Sequence, residues 1–285
     1  MSRIPRIAAV NDLSGFGRCS LAVALPILSA MGFQVCPLPT VLLSAHTGYP
    51  QPHIRDFTED MGAYLQHWDR LELDFDAVYT GFLGNERQET MLLPLLSAAR
   101  DRGALRVVDP AMADHGSLYS TCSPKLVAAM RQLVALASVT TPNLTEACLL
   151  TGEDYHRVMA LPIAKRREAV FAIGEHLLAL GCSAAVITGV PGADETLENV
   201  VTDGRTGEKY VLSTPTVSRH YAGTGDVFSS VLCGELLRGT DLRTAVERTA
   251  GFVYRVTRYT ADQDLPDQDG IVFEMFLSEL YQKEG

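Results

Sequence analysis

Residues 6–32 read RIAAVNDLSGFGRCSLAVALPILSAMG and hold a whole βα unit. Arg6 to Val10 is an apolar run of strand length. A polar, glycine-bearing loop follows, and Cys19 to Met31 then has the length and content of a buried helix. Gly32 is placed to end that helix in the left-handed conformation. The alternation continues outward. Helices expected at Ile54–Trp68, Arg87–Arg102, Ser123 to about Ala137, Asn143–Leu150 and Lys165–Leu180 separate strands at Ala77–Thr80, Arg106–Val108, Val139–Thr141 and Ala184–Thr188. This spacing predicts an α/β fold: a mostly parallel central sheet with helices on both faces, three layers in all.

Gln34–Leu43 is extended but carries Pro37 and Pro39, which place it at a sheet edge or in a small flap spanning about 34–49. Asn199–Thr202 and Lys209–Leu212 flank Asp203-Gly204, so antiparallel strands are expected there. The last third reads as helices Asp226–Arg238, Leu242–Thr260 and Val272–Gln282, with an acidic loop, Asp262–Asp269, before the last. No repeat or linker divides the 285 residues, so one domain, 1–285, is expected.

Lys and Arg number 24 against 34 Asp and Glu, a net charge of −10. That balance argues against nucleic acid or an anionic membrane as a partner. No stretch approaches a membrane span or a secretory leader. Six cysteines lie far apart without a CxxC pair, and read as buried reduced thiols of a cytoplasmic protein. An anionic ligand must therefore be held locally, by backbone amides or a cation.

In parallel α/β sheets, ligands bind beyond the carboxyl ends of the strands. Gly15-Phe16-Gly17 lacks the third glycine of a dinucleotide fingerprint, whose place is taken by Ser20, and none of the four lysines follows a glycine as in a P-loop. Gly223-Thr224-Gly225-Asp226 precedes an apolar helix. Its amides could receive a phosphate, and Asp226 could take a proton from an attacking hydroxyl or simply cap the helix. Asn143-Leu144-Thr145-Glu146 follows a strand and Pro142; Glu146 could hold magnesium through water or serve as a first-turn acid. Asp109-Pro110 and Thr188-Gly189 also follow strands directly. Arg219, just before the glycines, reads either as a phosphate contact or as a solvated residue.

Taken together, Asn11 to Gly17, His46-Thr47-Gly48-Tyr49, Thr80-Gly81-Phe82, Asp109-Pro110 with Asp114 and Gly116, Thr141-Pro142-Asn143 with Glu146, Thr188-Gly189 and Gly223 to Asp226 resemble the pyridoxal kinases of the ribokinase-like superfamily. The resemblance runs from about Ile7 to Gly239. It implies an ATP-dependent kinase acting on the 5′-hydroxymethyl group of a B6 vitamer, with Asp226 as base and the amides of Gly223, Thr224 and Gly225 as anion hole. Asn143, Glu146 and Thr188 fall at nucleotide-side positions, and Asp109 and Glu146 at those near magnesium or a monovalent cation such as K+. Asp12, Ser14, Val41, Leu43, Thr47 and Phe82 fall around the pyridine ring. Phe82 stands where several members have tyrosine, and Asp12 where some have serine. His46 is expected to orient its loop rather than move protons. The flap implies a homodimer. Two alternatives remain at this point, a hydroxymethylpyrimidine kinase of the same superfamily and a non-catalytic B6- or nucleotide-binding protein.

Overall fold

The opening apolar run becomes β1 (Arg6–Ser14), which continues past Val10 through Asn11 and Asp12. The chain then forms α1 (Ser20–Ala30), β2 (Gln34–Leu43), β3 (Ile54–Asp56), α2 (Thr58–Arg70), β4 (Ala77–Thr80), α3 (Arg87–Asp101) and β5 (Leu105–Val108). A short hairpin of β6 (Ala113–Asp114) and β7 (Ser117–Leu118) precedes α4 (Pro124–Val134), β8 (Val139–Thr140), α5 (Leu144–Thr151), α6 (Tyr155–Met159) and α7 (Ile163–Leu180). The remainder is β9 (Ala184–Pro191), β10 (Thr196–Asp203), β11 (Lys209–Pro215), α8 (Thr224–Leu237), α9 (Leu242–Ala261) and α10 (Leu277–Leu280). The structure, a computed structural model, describes residues 3–217 and 219–281.

Among these residues, nine strands form one sheet in the order β11-β10-β9-β8-β5-β4-β1-β2-β3. Pairing is parallel from β2 to β9 and antiparallel at both margins. Successive residues of a strand serve opposite cores. Ile7, Ala77, Tyr79 and Val107 pack beneath α1, α8 and α9, whereas Ala8, Val10, Val78 and Val108 pack beneath the helices α2 to α7. A sheet covered on both faces has no solvent side to keep polar, which is why its strands read as unbroken apolar runs.

The structure departs from the sequence reading at several boundaries. Residues Ile54–Asp56, expected as helix, are β3, paired with Val41–Leu43. The helix waits until Thr58, whose amide donates to Asp56 Oδ1 at 2.8 Å and turns the chain. Gln34–Leu43 is hydrogen-bonded to β1 along its length and meets β3 only from Val41 onward. Pro37 and Pro39 thus sit where the outer side of β2 has no neighbour. Residues 204–208, a wider turn than Asp203-Gly204, join β10 to β11. Val272–Gln282 is not one helix: it contains a 3-10 turn at Glu274–Phe276 and the short α10, and Gln282 lies outside the described residues. Three of the cysteines, Cys19, Cys36 and Cys122, are half-buried rather than buried, because each sits near an element end.

Strand order places the crevice. The chain leaves β1 for β2 on one side and returns to β4 on the other, so connections diverge at the carboxyl ends of β1 and β4.

Candidate active site

At that divergence Asn11 ends the regular part of β1. Its Oδ1 accepts the amides of Asp12 at 3.0 Å and Phe82 at 2.7 Å, tying β1 to the residues after β4. Gly81 is required beside it: a Cβ there would stand 2.2 Å from Asn11 Nδ2. Ser14 and Ser20 both donate to the buried Asp12 carboxylate, at 3.2 Å and 2.5 Å. Burial holds Asp12 above the usual carboxylate range despite those donors. Val41 and Leu43 are buried on β2 with Leu43 level with Ser14, and Thr40 Oγ1 donates to the Phe82 carbonyl at 2.8 Å. Asp12, Ser14, Val41, Leu43 and Phe82 therefore share one corner of the sheet. Thr47 lies on the neighbouring loop with its side chain exposed.

The first turn of α8 is built around Gly223, which has φ +78° and whose added Cβ would fall 1.9 Å from the Arg18 carbonyl. Only glycine fits that conformation and that contact. Gly223 is itself the N-cap and no side chain caps the helix, leaving the amides of the first turn without the usual acceptor. Asp226 lies inside the helix, so the capping alternative for its side chain does not hold. Burial, then the charge of Asp109, pushes its carboxyl up to about 8, while the Ser20 amide and the Asn11 side chain act in the opposite direction.

Asp109, after β5, is buried and accepts Ser229 Oγ at 2.8 Å; Thr141 Oγ1 lies 2.8 Å from that same hydroxyl. With the Ser229 proton given to the carboxylate, Thr141 is the donor of the second bond. Burial raises Asp109, and burial with the Asp109 charge raises Glu146. Glu146 and Asn143 form a reciprocal capping box on α5. Glu146 also accepts the Met112 amide at 3.0 Å, and Asn143 Nδ2 donates to the Ala113 carbonyl at 2.7 Å. Both side chains thereby fix the hairpin after Asp109. Thr188 is bridged to Asn143 and its amide donates to the Pro142 carbonyl at 2.9 Å.

A loop from the far end of the chain closes the corner. Arg18 N donates to the Asp269 carbonyl, Ile271 N to Ala222, and Tyr49 Oη to the Asp269 carboxylate. Arg219, its side chain 39% exposed, pairs with Asp267 at 2.5 Å and donates to the Leu265 carbonyl at 2.9 Å. In the sequence Ser20 stands out only as the residue in place of a third glycine and Thr141 only as part of Thr141-Pro142-Asn143, neither with a site role, and Ser229 does not stand out at all. Ser229 was findable, since it stands three residues after Asp226 and so shares its helix face. The closing loop left no local signal.

A mostly parallel sheet sandwiched by helices, with a glycine-started helix presenting an acid at the strand ends, defines the ribokinase-like class of small-molecule kinases. The family model described as phosphomethylpyrimidine kinase matches residues 68–267. The pyridoxine/pyridoxal/pyridoxamine kinase of Bordetella pertussis is 31% identical over 262 residues, 86% of this chain and 85% of that protein. A Bacteroides thetaiotaomicron protein assigned as a phosphomethylpyrimidine kinase, in a crystal form with pyridoxal, superposes with a TM-score of 0.91 at 38% identity, over 98% of this chain and 96% of that one. The pyridoxal kinase of Lactobacillus plantarum gives 0.86 at 32%, over 98% and 97%. The chain belongs to the pyridoxal kinase family.

Proposed function

We propose that this protein transfers the γ-phosphoryl group of ATP to the 5′-hydroxymethyl oxygen of a B6 vitamer. The observation that carries this reading is the 38% identity across nearly the whole chain to a protein crystallised with pyridoxal, combined with an acid and uncapped amides at the strand ends. Asp226 takes the hydroxyl proton as the oxygen attacks. A carboxyl raised to about 8 is a stronger base than an ordinary one, well matched to that task. The amides of Gly223, Thr224 and Gly225 face the charge on the transferring group. Asp12, Ser14, Val41, Leu43, Thr47 and Phe82 receive the ring, in a slot that is apolar on the β2 side and polar on the β1 side. Asn143 and Thr188 lie on the nucleotide side.

Magnesium fits the donor set. Asp109 and Glu146 offer buried carboxylate oxygens, the hard donors that suit an ion binding through one or two carboxylates, water and substrate phosphates. Asp109 and Glu146 are the carboxylates that would hold it, Glu146 through water because its oxygens already accept the Met112, Ala113 and Asn143 amides, and a monovalent cation such as K+ belongs beside it. When bound, magnesium neutralises triphosphate charge. The acidic net charge is then no obstacle to a polyanionic substrate.

Phosphorylation of pyridoxal, pyridoxine and pyridoxamine by purified protein with ATP, magnesium and potassium tests the reading; no turnover of any of them overturns it. The second reading is a hydroxymethylpyrimidine kinase of the same superfamily; the matching family is described as phosphomethylpyrimidine kinase, and side-by-side rates on the two kinds of ring separate the readings. We assign the protein to the cytoplasm as a homodimer joined at the β2–β3 margin, where Ile54 is 46% exposed. Light scattering that finds only monomer excludes the dimer. Among the described residues no helix is long and apolar enough to cross a membrane.

A further inference from the structure

Ser229 is 1% exposed and stands three residues after Asp226 on α8, so the helix that carries the acid carries this hydroxyl on the same face. Its Oγ lies 2.8 Å from Asp109 Oδ2 and 2.8 Å from Thr141 Oγ1, and both partners are themselves buried, just past the ends of β5 and β8. A hydroxyl carries one proton, and an ionised carboxylate can only accept. The chain of bonds therefore runs one way, from Thr141 through Ser229 to Asp109. It rejoins the backbone where the Thr141 amide donates to the Val108 carbonyl at 3.1 Å. Among the described residues no other hydrogen bond reaches the Asp109 carboxylate, so Oδ2 is held and Oδ1 is not. The last torsion of an aspartate side chain is a broad two-fold one, and a single bonded oxygen is enough to fix it.

We propose that Ser229 is a positioning residue: its hydroxyl holds the Asp109 carboxylate by one oxygen and so presents the other to the magnesium of the nucleotide. The role rests on the phosphoryl-transfer reading above. Carboxylates that bind metals are oriented by hydrogen bonds of this kind from behind. Because one helix carries Ser229 and Asp226, the carboxylate for the cation and the base for the hydroxyl are set in a single frame. Thr141 acts one step further out, by fixing the direction in which the Ser229 proton points.

The test is Ser229→Ala, which deletes the donor and adds no bulk. Thr141→Val, close to isosteric, keeps the Ser229 bond but leaves that hydroxyl free to turn. Magnesium is titrated in the full chain against ADP binding, by calorimetry, and against turnover at saturating vitamer. Absence of turnover in the parent sinks the kinase reading, while the binding titration still decides the role of Ser229. Ser229→Ala is expected to need roughly 10-fold more magnesium in both titrations, with metal-free ADP affinity and vitamer KM changed less than about threefold. Thr141→Val should move the same way by a smaller factor, about threefold. Parental magnesium dependence in both variants overturns the proposal; a purely structural role predicts that pattern, with only Tm lowered. Should Ser229→Ala fail to fold, parental magnesium dependence in Thr141→Val overturns it alone.

Discussion

His46 Nε2 lies 2.6 Å from the carbonyl oxygen of Gln268, a residue 222 positions further along the chain. The Gly48 amide donates to the other ring nitrogen, Nδ1, at 3.1 Å. Nδ1 is thus an acceptor, and Nε2 must carry the proton given to Gln268. The imidazole works as a neutral bridge between the loop after β2 and the loop before α10.

Breaking that bridge should loosen the corner without removing the chemistry. His46→Ala is expected to raise the vitamer KM about 3- to 10-fold, lower kcat less, and open residues 262–270 to limited proteolysis. Unchanged proteolysis would show that Tyr49 and Arg219 hold the loop unaided.

Asp226→Asn should lower kcat by about 10²–10⁴ while a vitamer and ATP still bind, as calorimetry can show. A variant as active as the parent removes the base from the mechanism.

The raised carboxyls also set a stability trend. Asp226 is pushed from an ordinary 3.8 up to about 8, and Asp12, Asp109 and Glu146 are raised too. Between those values the folded chain keeps protons that the unfolded chain has released, so stability falls as pH rises through the window. Tm should be lower at pH 8 than at pH 5 by roughly 3–6 °C, and Asp226→Asn should flatten the difference. The depressed carboxyls Asp56 and Asp203 act below that window and do not oppose the trend.

Two neighbouring glycines should respond differently to alanine. Gly223→Ala forces a Cβ to 1.9 Å from the Arg18 carbonyl at φ +78° and should cost about 3 kcal/mol or more of stability. Around Gly225 nothing lies within 4 Å. Gly225→Ala should keep its Tm within about 2 °C and lose kcat or ATP affinity, since only a ligand fills that space. Equal melting losses in both would contradict the assignment.

Glu146→Ala should destabilise by about 2–4 kcal/mol, because buried amides at Met112 and Asn143 lose their acceptor. Denaturant titration gives the value. If Glu146 acted on a cation alone, stability without magnesium would be unchanged.

The sequence by itself determined the βα alternation, the parallel sheet and the strand ends where ligands gather, because these follow from local periodicity and from turn residues such as Gly32. Asp226, Asp109 and Asn143 were legible for the same reason: each stands next to a strand or glycine signal. Tertiary structure alone decided what those side chains touch. Glu146 turns its oxygens to backbone amides, Arg219 is paired with Asp267, and Asn11 Nδ2 is buried without a partner among the described residues. Hydrogen bonds between Asn11 and Phe82, or His46 and Gln268, join positions 71 and 222 residues apart. No local pattern encodes such pairs, since they form only when the sheet order brings β4 and the C-terminal loop beside β1.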